Sequence, residues 1–208
     1  FFQKSTKNNI FVRMNSLNFV LLFLLILALI LSLFKTGARA RWAKNIRFFI
    51  VILGLAFFGY WFFQKSFSNF LEKSMSIQVI NRVNQPLDIY AIKVIDKDQN
   101  KFLTKHLGKV RTHHYQIDYF VMSNSNEFWV AAYNIKNKLV YFSQHSVQNK
   151  EEDQKIEVRT FLNQSQKLSD IAEKVIEKNK LENVNQSILV SLSLLLLFLN
   201  VVLLTRKK

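Results

Sequence analysis

Three uncharged apolar runs, with a series of short alternating segments between the second and third, predict the fold class. It is a membrane α-helical chain with three transmembrane helices and an all-β, immunoglobulin-like sandwich domain outside the membrane. The runs cover residues 17–34 (18 residues), 48–63 (16 residues) and 187–205 (19 residues). A bilayer core of about 30 Å needs about 20 helical residues. The second run is short, but Tyr60, Trp61, Phe62 and Phe63 give it an aromatic end suited to the interface, and Trp42 marks the other side.

The first run follows Lys4, Lys7 and Arg13 in the segment 1–16, and Ala38-Arg39-Ala40 mimics a cleavage site. The run is too long for a signal-peptide core, and Lys35 separates it from that site, so it reads as a retained helix. The chain opens on Phe1, and a few leading residues are expected to precede it.

The net charge of +15 is placed by topology. Residues 1–71 carry nine basic residues and no acid, and the tail 206–208 is Arg206-Lys207-Lys208. The connector 35–47 holds Lys35, Arg39, Arg41, Lys44 and Arg47. With connector and tail in the cytoplasm, eight basic residues lie inside against three outside. Residues 64–186 then belong to the periplasm, or to the intermembrane space of a mitochondrion. No basic stripe with interleaved aromatics accompanies the charge, so the expected partners are the lipid bilayer and other membrane-protein subunits, and no nucleic acid.

Within 64–164, strands are expected at 77–82, 87–95, 101–107, 113–121, 127–134, 138–145 and 155–162. Asn84-Gln85-Pro86, Gly108 and residues 134–137 separate some of them. Alternation slips near Lys93, which suits a bulge. A smaller barrel or meander is the alternative. There is no cysteine, so disulfides, iron–sulfur clusters and Cys-ligated zinc are excluded.

Residues 165–186 form an amphipathic helix with Leu168, Ile171, Ala172, Val175 and Ile176 on one face; Ser165 or Ser169 caps its start. It is expected to run on into the third apolar run. Its apolar face must pack on the sandwich or on another subunit.

No catalytic, cofactor-binding or metal-ligating residue is assigned. His113 and His114 are neighbours and point to opposite sides of a strand, so they make a poor ligand pair, and His106 and His145 are read as surface histidines. Glu151, Glu152 and Asp153 read as a solvated turn, as do Asp96 and Asp98. Four glycines cannot build a phosphate loop, and no nucleophile-elbow or H-E-x-x-H motif occurs. The apolar runs contain no ionisable residue; Asn18, Ser32, Ser191, Ser193 and Asn200 are read as helix contacts, and Gly54 and Gly59 as shallow places for a partner helix.

The stretch from Ser76 to Leu87, Ser-Ile-Gln-Val-Ile-Asn-Arg-Val-Asn-Gln-Pro-Leu, behind a transmembrane helix resembles the start of the immunoglobulin-like domain closing the FixG-type cytochrome oxidase accessory proteins. The ferredoxin cysteines of that family are missing here. The resemblance adds weight to an assembly role. The expected function is a non-catalytic accessory or scaffold subunit of a multi-subunit inner-membrane complex. The alternatives are an assembly or maturation factor for a respiratory complex, or a transporter or secretion-system component.

Overall fold

A computed structural model describes residues 6–34, 36–71, 74–97, 101–122, 125–150 and 152–206. The chain divides into a helical unit, Phe1–Phe67 with Glu182–Lys208, and a β unit, Ser68–Leu181.

The helical unit is built from α1 (Thr6–Leu31), α2 (Gly37–Leu71) and the second half of α3 (Gln166–Thr205). Among the described residues, two helices carry stretches long and apolar enough to cross a membrane, Arg39–Phe63 in α2 and α3 itself; α1 contributes a shorter apolar stretch, Leu17–Leu31. The first apolar run does not stay helical to residue 34. The amides of Ser32, Leu33 and Phe34 donate to carbonyls three residues back, at 3.0, 3.0 and 3.3 Å, which tightens the chain as α1 ends. The basic connector expected over 35–47 is also largely helix. From Gly37 onward Ala, Arg and Lys favour the helix, and no proline interrupts it.

Leu21, Leu25 and Ala28 of α1, Ile50 and Val51 of α2 and Leu197 of α3 form the buried centre of this unit. Gly54 lies against α3: a Cβ there would lie 2.9 Å from Leu197 Cδ1, so the end of that leucine side chain would have to shift. A partner for that glycine is therefore found within the chain, whereas Gly59 faces open space. Asn200 is fully buried, and its Nδ2 donates to Leu25 O of α1 (3.1 Å) and Leu196 O (2.9 Å), so it is a helix contact.

The β unit has two sheets. One orders β4 (Tyr115–Phe120), β1 (Met75–Asn81) and β7 (Gln154–Val158). The other orders β3 (Lys101–Val110), β2 (Leu87–Asp96), β5 (Glu127–Tyr133), β6 (Leu139–Ser146) and the two-residue β8 (Leu162–Asn163). Both are mixed: β1 runs parallel to β7 and β6 parallel to β8, and all other pairs are antiparallel. Ile77 and Val79 of β1, with Ile156 and Val158 of β7, face Ile89, Ala91, Phe128 and Val130 across the interior. The other face of the five-stranded sheet is covered too. Tyr90, Ile92, Trp129, Ala131 and Phe142 pack under Ala172 and Ile176 of α3, with Leu168 and Ile171 beside them. The sandwich itself is thus what covers Leu168, Ile171, Ala172 and Ile176 of the amphipathic helix. Each fully buried aliphatic side chain there contributes roughly 1.5–3 kcal/mol relative to exposure.

Double coverage explains the apparent slip near Lys93. Residues 87, 89 and 91 point to the inter-sheet core and 90, 92 and 94 to the helix, so β2 is apolar on both faces and its alternation is lost. The pairing of β2 with β3 does shift next to Lys93, between Val94 and Asp96, and shifts a first time between Ile89 and Tyr90. At the first shift Leu107 is the extra residue, next to Gly108 at φ +107°, a conformation that side chains rarely adopt. Lys93 stays in the ladder, buried, with Nζ donating to Val121 O at 2.5 Å.

Short polar devices set the ends. Asn134 Oδ1 accepts from the amides of Lys136 and Lys138, both at 3.0 Å, closing the β5–β6 hairpin with Asn137 at φ +56°. Ser165 caps α3, its Oγ accepting from Leu168 N at 3.4 Å, while Ser169 Oγ donates to Gln166 O and accepts from Asn163 Nδ2.

Candidate functional site

His106, His145 and the adjacent pair His113–His114 lie at three separate places in the fold. His106 Nε2 lies 2.6 Å from Asp88 Oδ1, and its ring stacks on Tyr90 at 4.6 Å. His145 Nε2 lies 2.7 Å from Ser143 Oγ, and its ring stacks on Phe128 at 5.1 Å. These two occupy β3 and β6, with β2 and β5 between them and an offset of three residues along the ladder, so they lie about 17 Å apart at ordinary strand geometry and on opposite faces. His113 takes a left-handed turn conformation, φ +59°, and its amide donates to Asn81 O at 2.8 Å. His114 Nδ1 lies 2.8 Å from Thr112 O. Among the described residues no three His, Asp or Glu side chains come together as a metal would require.

Burial holds the His145 pKa below the ordinary histidine value. The native state therefore keeps this ring neutral, while the unfolded chain protonates it near pH 6.5. The stability it supports is fully present above about pH 6.5 and is lost as pH falls through that value toward the lower folded pKa. Thermal unfolding of the detergent-solubilised chain, followed by Trp129 fluorescence, is expected to shift downward between about pH 7.5 and pH 5.5. His145→Gln should flatten that part of the profile. An unchanged profile in the variant would assign the pH dependence to other groups.

The acidic residues serve local structure. Glu152 Oε1 accepts from Asn149 Nδ2 at 3.1 Å, and Asp153 Oδ1 accepts from the Ser76 amide at 3.3 Å, tying the β6–β7 loop to β1. Glu151 and Asp98 lie outside the described residues. A polar cavity of about 460 Å³ opens between the end of β2 and the start of β5, around Asp96, Lys97, Glu127 and Lys150. The Glu127 carboxylate meets Lys97 Nζ (2.8 Å), Trp129 Nε1 (2.6 Å) and Gln144 Nε2 (2.7 Å). So engaged, it orients the buried indole and is a poor general base.

The uncommitted surface is aromatic. Tyr115, Ile117 and Tyr119 project from one face of β4 and are 60%, 44% and 61% exposed. They stand opposite Ile80, Gln78 and Ser76 of β1. β4 is an edge strand, and Lys105 Nζ covers part of that edge, 2.7 Å from both Asp118 Oδ1 and Tyr119 O. In the helical unit, Phe48, Phe49, Phe62 and Phe63 of α2 and Phe198 of α3 are turned outward.

One residue escapes the reading of the apolar runs. Arg47 sits at the edge of the second run, yet it is 93% buried in the helical unit, and its Nε and Nη2 find no hydrogen-bond partner among the described residues. The signal for it is helical spacing: Arg39, Ala43, Arg47 and Val51 recur every four residues along one side of α2, and Ala43 and Val51 are both buried.

No family model and no curated protein matches this sequence. An NMR structure of a protein from Eubacterium rectale aligns with a TM-score of 0.31 at 10% identity, covering 41% of this chain and 79% of that one.

Proposed function

We propose that this chain is a non-catalytic accessory or scaffold subunit of a multi-subunit inner-membrane complex. Its three helices anchor it, and its β unit works on the periplasmic side, or in the intermembrane space. The observation that carries the proposal is the distribution of uncovered aromatic surface. The outward phenylalanines of α2 and α3 suit lipid or neighbouring helices, and the tyrosine face of β4 suits a protein surface. Tyrosine gives large contact area at low entropic cost, with a hydroxyl that tolerates water. Three polar groups that could do chemistry, His106, His145 and Glu127, are engaged within the fold.

An immunoglobulin-like reading of the β unit has support in strand order. β3-β2-β5-β6 opposite β4-β1 corresponds to the C′, C, F and G strands facing E and B. The parallel partners β7 and β8 and the covering helix are additions to that plan, and the buried Trp129 lies on the F-like strand where such domains carry theirs on C.

Purification in mild detergent tests the role. A structural subunit is expected at fixed stoichiometry with the same chains through successive columns, and Tyr115→Ala with Tyr119→Ala should lower that stoichiometry. An assembly factor would appear substoichiometrically, and a chain recovered alone would sink the proposal.

Topology has its own test, made clean by the absence of cysteine. A cysteine replacing Lys136, exposed in the β5–β6 turn, should react with an impermeant thiol reagent in spheroplasts or mitoplasts. One replacing Thr36 should react only after lysis. Ser125, although on the same unit, is unsuitable because it is buried, with its Oγ 2.5 Å from Val94 O. Reversed labelling would overturn the orientation.

A further inference from the structure

We propose that the N-terminal end of α2 seats the phosphate of an anionic phospholipid, with Arg47 as its buried ligand. The inference rests on the membrane reading above. α2 opens with Arg39, Arg41, Lys44 and Arg47 and has no acid in its first turn. Cations at this end oppose the helix dipole, whose N-terminus is itself positive. The chain offers no relief: residues 1–71 and 183–208 contain no acid at all. An anion from outside is the missing component of this end of the unit.

Arg47 points to where the anion belongs. A guanidinium keeps its charge, and leaving it buried without a partner is costly. Nε and Nη2, which sit side by side on the fork, are the two nitrogens left unpaired. A phosphate can take both at once, as Arg forks commonly arrange. On a helix a long side chain leans toward the N-terminus over the residue four before it, here Ala43.

Ala43 lines a groove of about 440 Å³ together with Leu31, Phe34, Arg39 and Trp42. Its walls are almost entirely aliphatic and aromatic, and Trp42 is 72% exposed, as an interfacial tryptophan would be. A groove for an acyl chain, lined by Ala43 one helical turn before the unpaired Arg47, fits a phospholipid better than an acidic side chain of a protein. Basic pockets at the cytoplasmic ends of transmembrane helices recognise anionic headgroups in this way.

The full chain is reconstituted into phosphatidylcholine vesicles carrying a minor share of either brominated phosphatidylglycerol or brominated phosphatidylcholine. Quenching of Trp42 is isolated by difference from Trp42→Phe. The anionic lipid is expected to quench Trp42 about fivefold more effectively, the factor that about one favourable cation–headgroup contact supplies. Arg47→Gln should abolish the preference, Arg47→Lys should keep part of it, and Arg41→Gln, on another side of the helix, should keep most of it. If Arg47→Gln inserts poorly, Arg39→Gln provides the second variant and should also lower the preference.

Equal quenching by the two lipids in an inserted wild-type chain overturns the proposal, as does a preference that survives Arg47→Gln. Loss of the preference on adding inorganic phosphate would reassign the seat to a soluble anion and overturn it as well. Removal of the chain by alkaline carbonate, before any lipid is compared, would instead overturn the membrane reading and the proposal with it.

Discussion

Ile176→Asp is expected to unfold the β unit. Ile176 is fully buried on the sheet-facing side of α3, among Tyr90, Trp129, Phe142 and Ala172. The change removes an aliphatic group from a packed site and leaves a carboxylate among apolar side chains, while the cation at the edge of that cluster, Lys180, is already held over the Tyr90 and Tyr133 rings at 5.1 and 4.6 Å. Losing the side chain alone costs about 2–5 kcal/mol, and burying an unpaired charge adds several more. Domains of this size are stable by only about 5–15 kcal/mol. Trp129 fluorescence should shift to the red, and the β unit should become sensitive to brief proteolysis in detergent. A protease-resistant unit with native fluorescence would show that α3 can leave the sheet without harm. The milder pair Ile171→Asp with Val175→Asp lies at the margin of the contact and should destabilise the unit less, because both residues are only partly buried.

Asn81→Ala should produce the second large loss, through hydrogen bonds. Asn81 is fully buried at the end of β1. Its Nδ2 donates to Gln85 O (2.8 Å) and Val110 O (3.1 Å), and its Oδ1 accepts from Val83 N (3.0 Å). Its backbone joins the same knot, with N donating to His114 O at 2.9 Å and O accepting from His113 N at 2.8 Å. One side chain therefore fixes the turn from β1 to β2 and the end of β3 together. Alanine strands two carbonyls and one amide, a cost of about 3 kcal/mol. Asn81→Asp should be worse, since a carboxylate keeps the acceptor but aims negative charge at two carbonyl oxygens. Denaturant midpoints followed by Trp129 fluorescence measure both variants, and a midpoint for Asn81→Ala within error of wild type would remove this knot from the account.

How much of this is legible in the sequence depends on which faces are wet. Where one side meets solvent, period-two alternation survives: in β7, Ile156 and Val158 are buried and alternate with the more exposed Lys155 and Glu157. Where both sides are buried, as in β2 and β5, the pattern becomes a continuous apolar run, and the register shift at Leu107–Gly108 leaves only a glycine as its trace. The partner of the amphipathic helix is likewise invisible, because an apolar stripe names no target. Its target emerges only once Trp129 and Ala131 are seen turned away from the inter-sheet core. Arg47 is hidden for a related reason. A residue counted as the last cation of a connector becomes a buried one when the helix begins ten residues earlier, at Gly37.

The parallel pairing of β1 with β7 also sets an order in time. The hairpins β2–β3 and β5–β6 join neighbours in sequence and can form as soon as each is made. β1 is the middle strand of its sheet, yet Ile77 waits for Gln154, 77 residues later. Closing so long a loop is slow relative to local pairing. Until Val158 leaves the ribosome, Met75–Asn81 keeps one open edge, and it is a short, uncharged, β-prone strand of the kind that recruits other chains. The first strand synthesised is thus among the last to be secured on both sides, and the stretch of translation between residues 81 and 158 is when this protein is most exposed to misassembly.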